Sequence, residues 1–189
     1  MSIGGKRGSS RRKGDEFQDL IALRIALEYY IARKPFNMYL EYEQSGNLDD
    51  IVVFDGNTIL AHQVKYAVHP LSIYVTEDFV DTDSPVYIKK FADSWNLIRQ
   101  KYPLHHLKVL LCSNRSLNVE LVNCVEPDGS FMHAFIENRM RGNAKKLRTT
   151  LQTASGLNGE QFSSFLSDFQ FLARQPNIIE LKQYIRMAL

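Results

Sequence analysis

Several polar side chains stand where the hydrophobic pattern calls for apolar ones. In LDDIVVFDGNTILAHQVKY, residues 48–66, two runs of strand-forming residues flank Asp55-Gly56-Asn57, yet Asp49, Asp50, Gln63 and Lys65 lie on them. Side chains alternate along a strand, so Gln63 and Lys65 share a face, as do Asp50, Val52 and Phe54 on the preceding run. A hairpin turning at Asp55-Gly56-Asn57 brings the polar start of one strand beside the polar end of the other. Asp50, Gln63 and Lys65 then converge at one edge of a sheet. Carboxylate oxygens and an amide carbonyl are hard ligands of the kind Mg²⁺ accepts, with Mn²⁺ as a substitute. A lysine two residues beyond a ligand can stabilise charge developing on phosphorus and help deprotonate an attacking water. The set suits metal-assisted hydrolysis of a phosphodiester. No Ser-His-Asp arrangement, GxGxxG or GxxxxGK[ST] accompanies it.

The elements that must position these residues follow from periodicity. From Asp15 to about Arg33, Leu20, Leu23, Leu27 and Ile31 recur at helical spacing, and Pro35 closes the segment. Extending that stripe back one turn lands on Glu16, which places a carboxylate at the end of the helix's buried face. NMYLEYEQ (37–44), LDDIVVF (48–54) and TILAHQVKYA (58–67) read as three strands of an antiparallel meander. A loop over 68–85 leads to a helix over 86–102, and LKVLLCS (107–113) is an apolar run suited to a strand buried on both faces. Beyond Val125 the chain reads as three helices without strand candidates, one opened by Asn158 with Gln161 at the capping-box position. The expected organisation is a flexible basic arm (1–14), a core (15–125) and a helical extension (126–189).

Composition narrows the class. With 189 residues, 44% hydrophobic and 11% aromatic, the chain can bury one sizeable core. No apolar run has the length of a membrane span and no apolar h-region follows the basic start, so a soluble, cytoplasmic protein with no membrane partner is expected. Cys112 and Cys124 lack CxxC spacing and read as buried thiols. Lys6, Arg7, Arg11, Arg12 and Lys13 stand in a stretch with no acid, and the other 18 basic residues face 21 acidic ones, a balance of −3. The basic character therefore belongs to the arm, and Arg11, Arg12 and Lys13 are candidates to lie along a phosphate backbone. Arg115, in the loop after the apolar strand, is a further candidate phosphate contact. His105-His106 would project to opposite sides of an extended chain, and the acidic loop Glu77, Asp78, Asp81, Asp83 lacks the calcium-loop pattern.

Glu16 on a first helix, Asp50 opening the second strand and Gln63-Val64-Lys65 on the third resemble the PD-(D/E)XK nuclease superfamily, in its QxK, Mrr-like form. The order EFQDLIAL, LEYEQSGNLDDIVVFDG, AHQVKY is similar to the DUF4297-type N-terminal endonuclease domain of bacterial antiphage effectors of the CBASS or STAND type, over roughly residues 10–125. The resemblance implies an α/β restriction-endonuclease-like core, α-βββ-α-β, with a mixed sheet flanked by helices and a C-terminal helical extension. It further implies that Asp50 and Gln63 bind Mg²⁺, that Lys65 is the catalytic lysine, and that Glu16 orders metal or water. Two departures stand out: Gln63 replaces the usual acid, and Asp49 replaces the proline before Asp50. Either aspartate can supply the ligand; Asp50 is favoured because it directly precedes Ile51-Val52-Val53.

Each piece also has a plain structural reading. QVK can be a solvated strand face, Asp49-Asp50 turn residues, and Glu16 a favourable charge in a first helical turn. Their order and convergence favour a Mg²⁺-dependent endonuclease acting on double-stranded DNA with low sequence specificity, since no major-groove reading module is visible. Such a domain is expected to be the effector part of an antiphage defence protein, joined to a C-terminal sensor or ATPase module and activated by oligomerisation. The ending at Met187-Ala188-Leu189 without a capping segment fits a chain that continues. The alternative is a catalytically inactive nuclease-like DNA-binding or oligomerisation module.

Overall fold

A computed structural model describes residues 5–189 apart from Pro70. The first helix, α1 (Gly5–Ile31), starts ten residues before the expected Asp15, so the basic segment expected as a flexible arm is helical from Gly5 onward. Three strands follow, β1 (Asn37–Leu40), β2 (Ile51–Asp55) and β3 (Thr58–Lys65), in antiparallel succession. The β2–β3 turn is tighter than expected, because Asp55 already pairs with Thr58. Gly56 carries the left-handed φ of 56° at its first position, a conformation open to glycine without a Cβ penalty. β1 is shorter than expected. Glu41 takes a left-handed φ of 52°, and a 3-10 turn at Glu43–Ser45 replaces the end of the run.

After β4 (Ile73–Tyr74) and α2 (Thr76–Val80), α3 (Ile88–Lys101) crosses back to β5 (His106–Ser113), which lies parallel to β3. β6 (Ser116–Leu117) pairs with β4 in a separate two-stranded ribbon absent from the sequence reading. Four helices follow: α4 (Val119–Val122), α5 (His133–Ile136), α6 (Gly142–Ser155) and α7 (Gly159–Asp168). The chain ends with β7 (Phe169–Leu172) and α8 (Ile178–Ala188). The main sheet has the order β1-β2-β3-β5-β7, mixed and flanked by helices on both faces, an α/β architecture.

β7 corrects the expectation of a purely helical extension. It runs parallel to β5 as an edge strand, with Phe171 beside Leu111. Phe162, Phe165, Leu166 and Phe169 keep the i, i+3, i+4, i+7 spacing of a helix straight through the junction, so periodicity alone cannot see the change. Tertiary contacts break the helix there. The Asp168 carboxylate accepts hydrogen bonds from Trp95 Nε1 at 2.8 Å and Arg99 Nη2 at 2.7 Å, which pins the end of α7 to α3. The two aromatic side chains of β7 then join an apolar cluster with Val52, Ile59, Val109 and Leu111, and the core crosses residue 125 without a break.

The opposite face of the sheet is covered by α1 and α8. Phe17, Ile21, Ala22 and Ile25 pack with Ile51, Val53, Val64, Cys112 and Leu181. This phase corrects the expected stripe: Leu23 and Ile31 are exposed, and Glu16 flanks the buried face rather than ending it. Apolar residues occur all round α1, so the sequence permits more than one stripe, and the sheet selects the one that carries Phe17. None of the described helices is long and apolar enough to cross a membrane.

Candidate functional site

Asp50 stands immediately before β2, and Gln63 and Lys65 lie at the end of β3, as the hairpin geometry demands. All three meet at one atom. Asp50 Oδ2 accepts a hydrogen bond from the Gln63 side-chain amide, another from the Val64 backbone N–H at 2.6 Å, and the Lys65 ammonium lies 3.5 Å away. Gln63 is buried, whereas Asp50 and Lys65 are partly open to solvent. The ladder between β1 and β2 ends here too: Leu40 pairs with Ile51, and past the left-handed Glu41 the Tyr42 N–H reaches back to Asp49 O at 2.8 Å.

The two adjacent aspartates separate clearly. Asp50 collects the donors of β3. Asp49 has its pKa pushed up by burial, with the neighbouring Asp50 charge adding to the rise and its own backbone N–H opposing it. Glu16 is not brought to the cluster. Its carboxylate pairs with the Lys182 ammonium on α8. The α1 residue that touches the site is Gln18, whose amide donates to the Asp50 backbone carbonyl at 3.3 Å. Gln18 carries no separate signal in the sequence, because its place beside Asp50 depends on the phase of α1 against the sheet.

Arg115, expected as a phosphate contact, has its guanidinium engaged within the fold. Its guanidinium donates to Ile73 O at 2.6 Å, pairs with Asp78 at 3.4 Å and lies 4.0 Å from the centre of the Tyr74 ring. It fastens the β4–β6 ribbon to α2. Arg11, Arg12 and Lys13 are exposed near the start of α1.

The donor chemistry fits a hard divalent cation with few protein ligands. The hydrogen bonds from β3 fall on Oδ2, so Oδ1 of Asp50 is the oxygen to face a cation, with the Gln63 amide carbonyl as the second protein donor. Among the described residues no group of three or more His, Cys, Asp or Glu side chains gathers, so waters and substrate oxygens would have to complete the coordination. The Gln63 amide now offers its nitrogen to Asp50, and ligation requires the amide to turn. Gln63→Glu would face Asp50 with a second carboxylate in place of a donor. In EDTA this variant is expected to lose about 1–3 kcal/mol and to melt several degrees lower. Its melting temperature should then rise with added Mg²⁺ more steeply than that of the unaltered chain. An unchanged melting temperature in EDTA would contradict the Gln63–Asp50 contact.

His62 marks the opposite face of β3. Fully buried, with Nδ1 3.2 Å from Ile51 O, it has its pKa lowered to about 4, chiefly by burial. Because the folded value lies below that of an unfolded histidine, near 6.5, the unfolded chain binds more protons between the two. Stability is therefore full above about pH 6.5 and is lost as pH falls toward 4. Urea midpoints measured across that window should fall less steeply in His62→Asn than in the unaltered chain. Parallel curves would remove His62 as the cause.

No protein-family model matches the chain, and no curated protein matches it.

Proposed function

We propose that the chain is a Mg²⁺-dependent endonuclease with a PD-(D/E)XK-like core, hydrolysing phosphodiester bonds of double-stranded DNA with low sequence specificity. The observation that carries this reading is the convergence of Asp50, Gln63 and Lys65 at the end of a β2–β3 hairpin whose second strand, β3, pairs in parallel with β5. A module that only bound nucleic acid would need cations, and gains nothing from holding a partly buried carboxylate at the same point.

In this reading Asp50 and Gln63 hold the cation, which supplies Lewis-acid polarisation of the phosphate when bound. The Lys65 ammonium, already beside Asp50, faces the reacting phosphate, neutralises charge that develops there and orders the attacking water. Asp50 in turn holds Lys65 near the scissile position, and the Val64 N–H and Gln18 amide hold Asp50. Glu16 joins only if Lys182 releases it, so its part is at most to order outer water. Arg11, Arg12 and Lys13 supply sequence-independent phosphate contacts. The larger context we propose is an effector domain of an antiphage protein, cytoplasmic, joined to a sensor or ATPase module and switched on by oligomerisation.

The deciding experiment incubates supercoiled plasmid with the protein and Mg²⁺ or Mn²⁺, free and in an oligomer enforced by a fused trimeric coiled coil. Nicking that EDTA abolishes is the expected result. DNA binding without cleavage in the enforced oligomer would favour the inactive DNA-binding module instead.

A further inference from the structure

The carboxyl ends of the three parallel strands form one stitched edge. Lys65 at the end of β3 lies in register with Ser113 at the end of β5. Asn114 ties this edge to the chain leaving β3 by a reciprocal pair of hydrogen bonds with Ala67, both 2.8 Å. The segment leaving β7 is fixed in turn: Arg174 N–H donates to Arg115 O at 2.8 Å, and Gln175 N–H donates to Ser113 O at 2.9 Å. The Gln175 side chain accepts from Arg24 of α1 at 2.8 Å. Asn177 then caps α8 with Glu180 in a capping box. Little freedom remains in this segment.

Within it Arg174 takes a left-handed φ of 56°, a conformation that a residue with a Cβ adopts at a cost and glycine does not. Its side chain is exposed and, among the described residues, forms no ion pair. It borders a cleft of about 460 Å³ that also contains Phe171, Leu117 and Met132. Gln63, Leu111 and Phe171 lie side by side on one face of the sheet; Lys65, two residues beyond Gln63, shares that face, and Arg174 borders the same cleft as Phe171. Adjacent strands lie about 4.8 Å apart, and two such steps separate the end of β3 from the end of β7. That separation of about 10 Å corresponds to roughly three nucleotides of axial rise.

We infer that Arg174 is a phosphate-binding residue that holds the substrate strand a few nucleotides from the position cut beside Lys65. The inference rests on the nuclease reading above. Arg174 takes over the part that the sequence suggests for Arg115, whose own guanidinium is turned inward. Being fixed to the strand ends by backbone hydrogen bonds, it sets the register of the bound strand, and as a positioning residue it does not act on the reacting atoms.

Arg174→Gly separates charge from structure, because glycine removes the guanidinium while relieving the left-handed backbone. Binding is followed by fluorescence anisotropy with a fluorescein-labelled 20-base-pair duplex in EDTA, between 50 and 200 mM NaCl. The expected result is several-fold weaker binding, with the slope of log K against log salt reduced by about 0.9, and a melting temperature equal to or above that of the unaltered chain. Arg174→Lys should restore the slope. An Arg174→Gly variant that binds with unaltered affinity and slope overturns the inference alone and leaves the nuclease reading standing. Weakened binding accompanied by a lowered melting temperature would make Arg174 structural and overturn it too. Absence of DNA binding by the unaltered protein overturns both readings together.

Discussion

Lys65→Ala is expected to reduce Mg²⁺-dependent plasmid nicking by about 10³-fold while leaving the fold intact. The magnitude is that of removing one preorganised group that stabilises developing charge. The fold should survive because the Lys65 side chain is partly solvated and its ion pair with Asp50, at 3.5 Å, is long; pairs of this kind contribute little to stability. Asp50→Ala should abolish nicking equally, but at a structural cost. It strands the buried Gln63 amide and the Val64 N–H, each of which now donates to Asp50 Oδ2, a loss of about 1–3 kcal/mol. Asp50→Asn keeps an acceptor there and separates the two effects. Nicking at the unaltered rate in Lys65→Ala, measured by conversion of supercoiled to open circular plasmid in an oligomer known to be active, would remove Lys65 from the chemistry.

Gly129→Ala is expected to destabilise the protein by more than about 4 kcal/mol, a large part of the ~5–15 kcal/mol that holds a typical domain folded. Gly129 has a φ of 88°, and a Cβ built on it would lie 1.9 Å from the carbonyl oxygen of Phe171. That oxygen cannot retreat cheaply. Phe171 N–H donates to Gly129 O at 2.9 Å, and Phe171 pairs with Leu111 in the ladder of β5. The substitution thus prises β7 from the sheet and with it the edge that carries Arg174. Urea unfolding followed by circular dichroism reads the loss. A midpoint within error of the unaltered chain would show that β7 docking is dispensable, and that the segment beyond residue 125 behaves as an appendage after all.

A similar tension between neighbouring parts of the chain surrounds Arg148, which is buried between α5, α6 and α7. It donates to Phe135 O and Ile136 O, at 2.8 and 3.0 Å, and to Ser163 Oγ at 2.8 Å, so the carbonyls at the end of α5 are satisfied by a charge from α6. This buried hydrogen-bonded charge and the continuous aromatic cluster explain why the C-terminal half holds to the sheet despite its helical sequence pattern.

The sequence by itself determined the hairpin and its polar end. Alternation along 48–66 and the turn at Gly56-Asn57 are local properties, and they are sufficient to bring Asp50, Gln63 and Lys65 together whatever packs around them. The buried run 107–113 was legible for the same reason, since its pattern depends only on its own neighbours. Tertiary structure decided the rest. The phase of α1, and hence the substitution of Gln18 for Glu16 beside Asp50, depends on which of several apolar stripes meets the sheet. The conversion of Phe169–Leu172 from helix pattern to strand depends on Trp95 and Arg99, some seventy residues earlier, capturing Asp168. The exchange of roles between Arg115 and Arg174 depends on which guanidinium the β4–β6 ribbon engages. In each case the local pattern is compatible with more than one arrangement, and contacts distant along the chain choose between them.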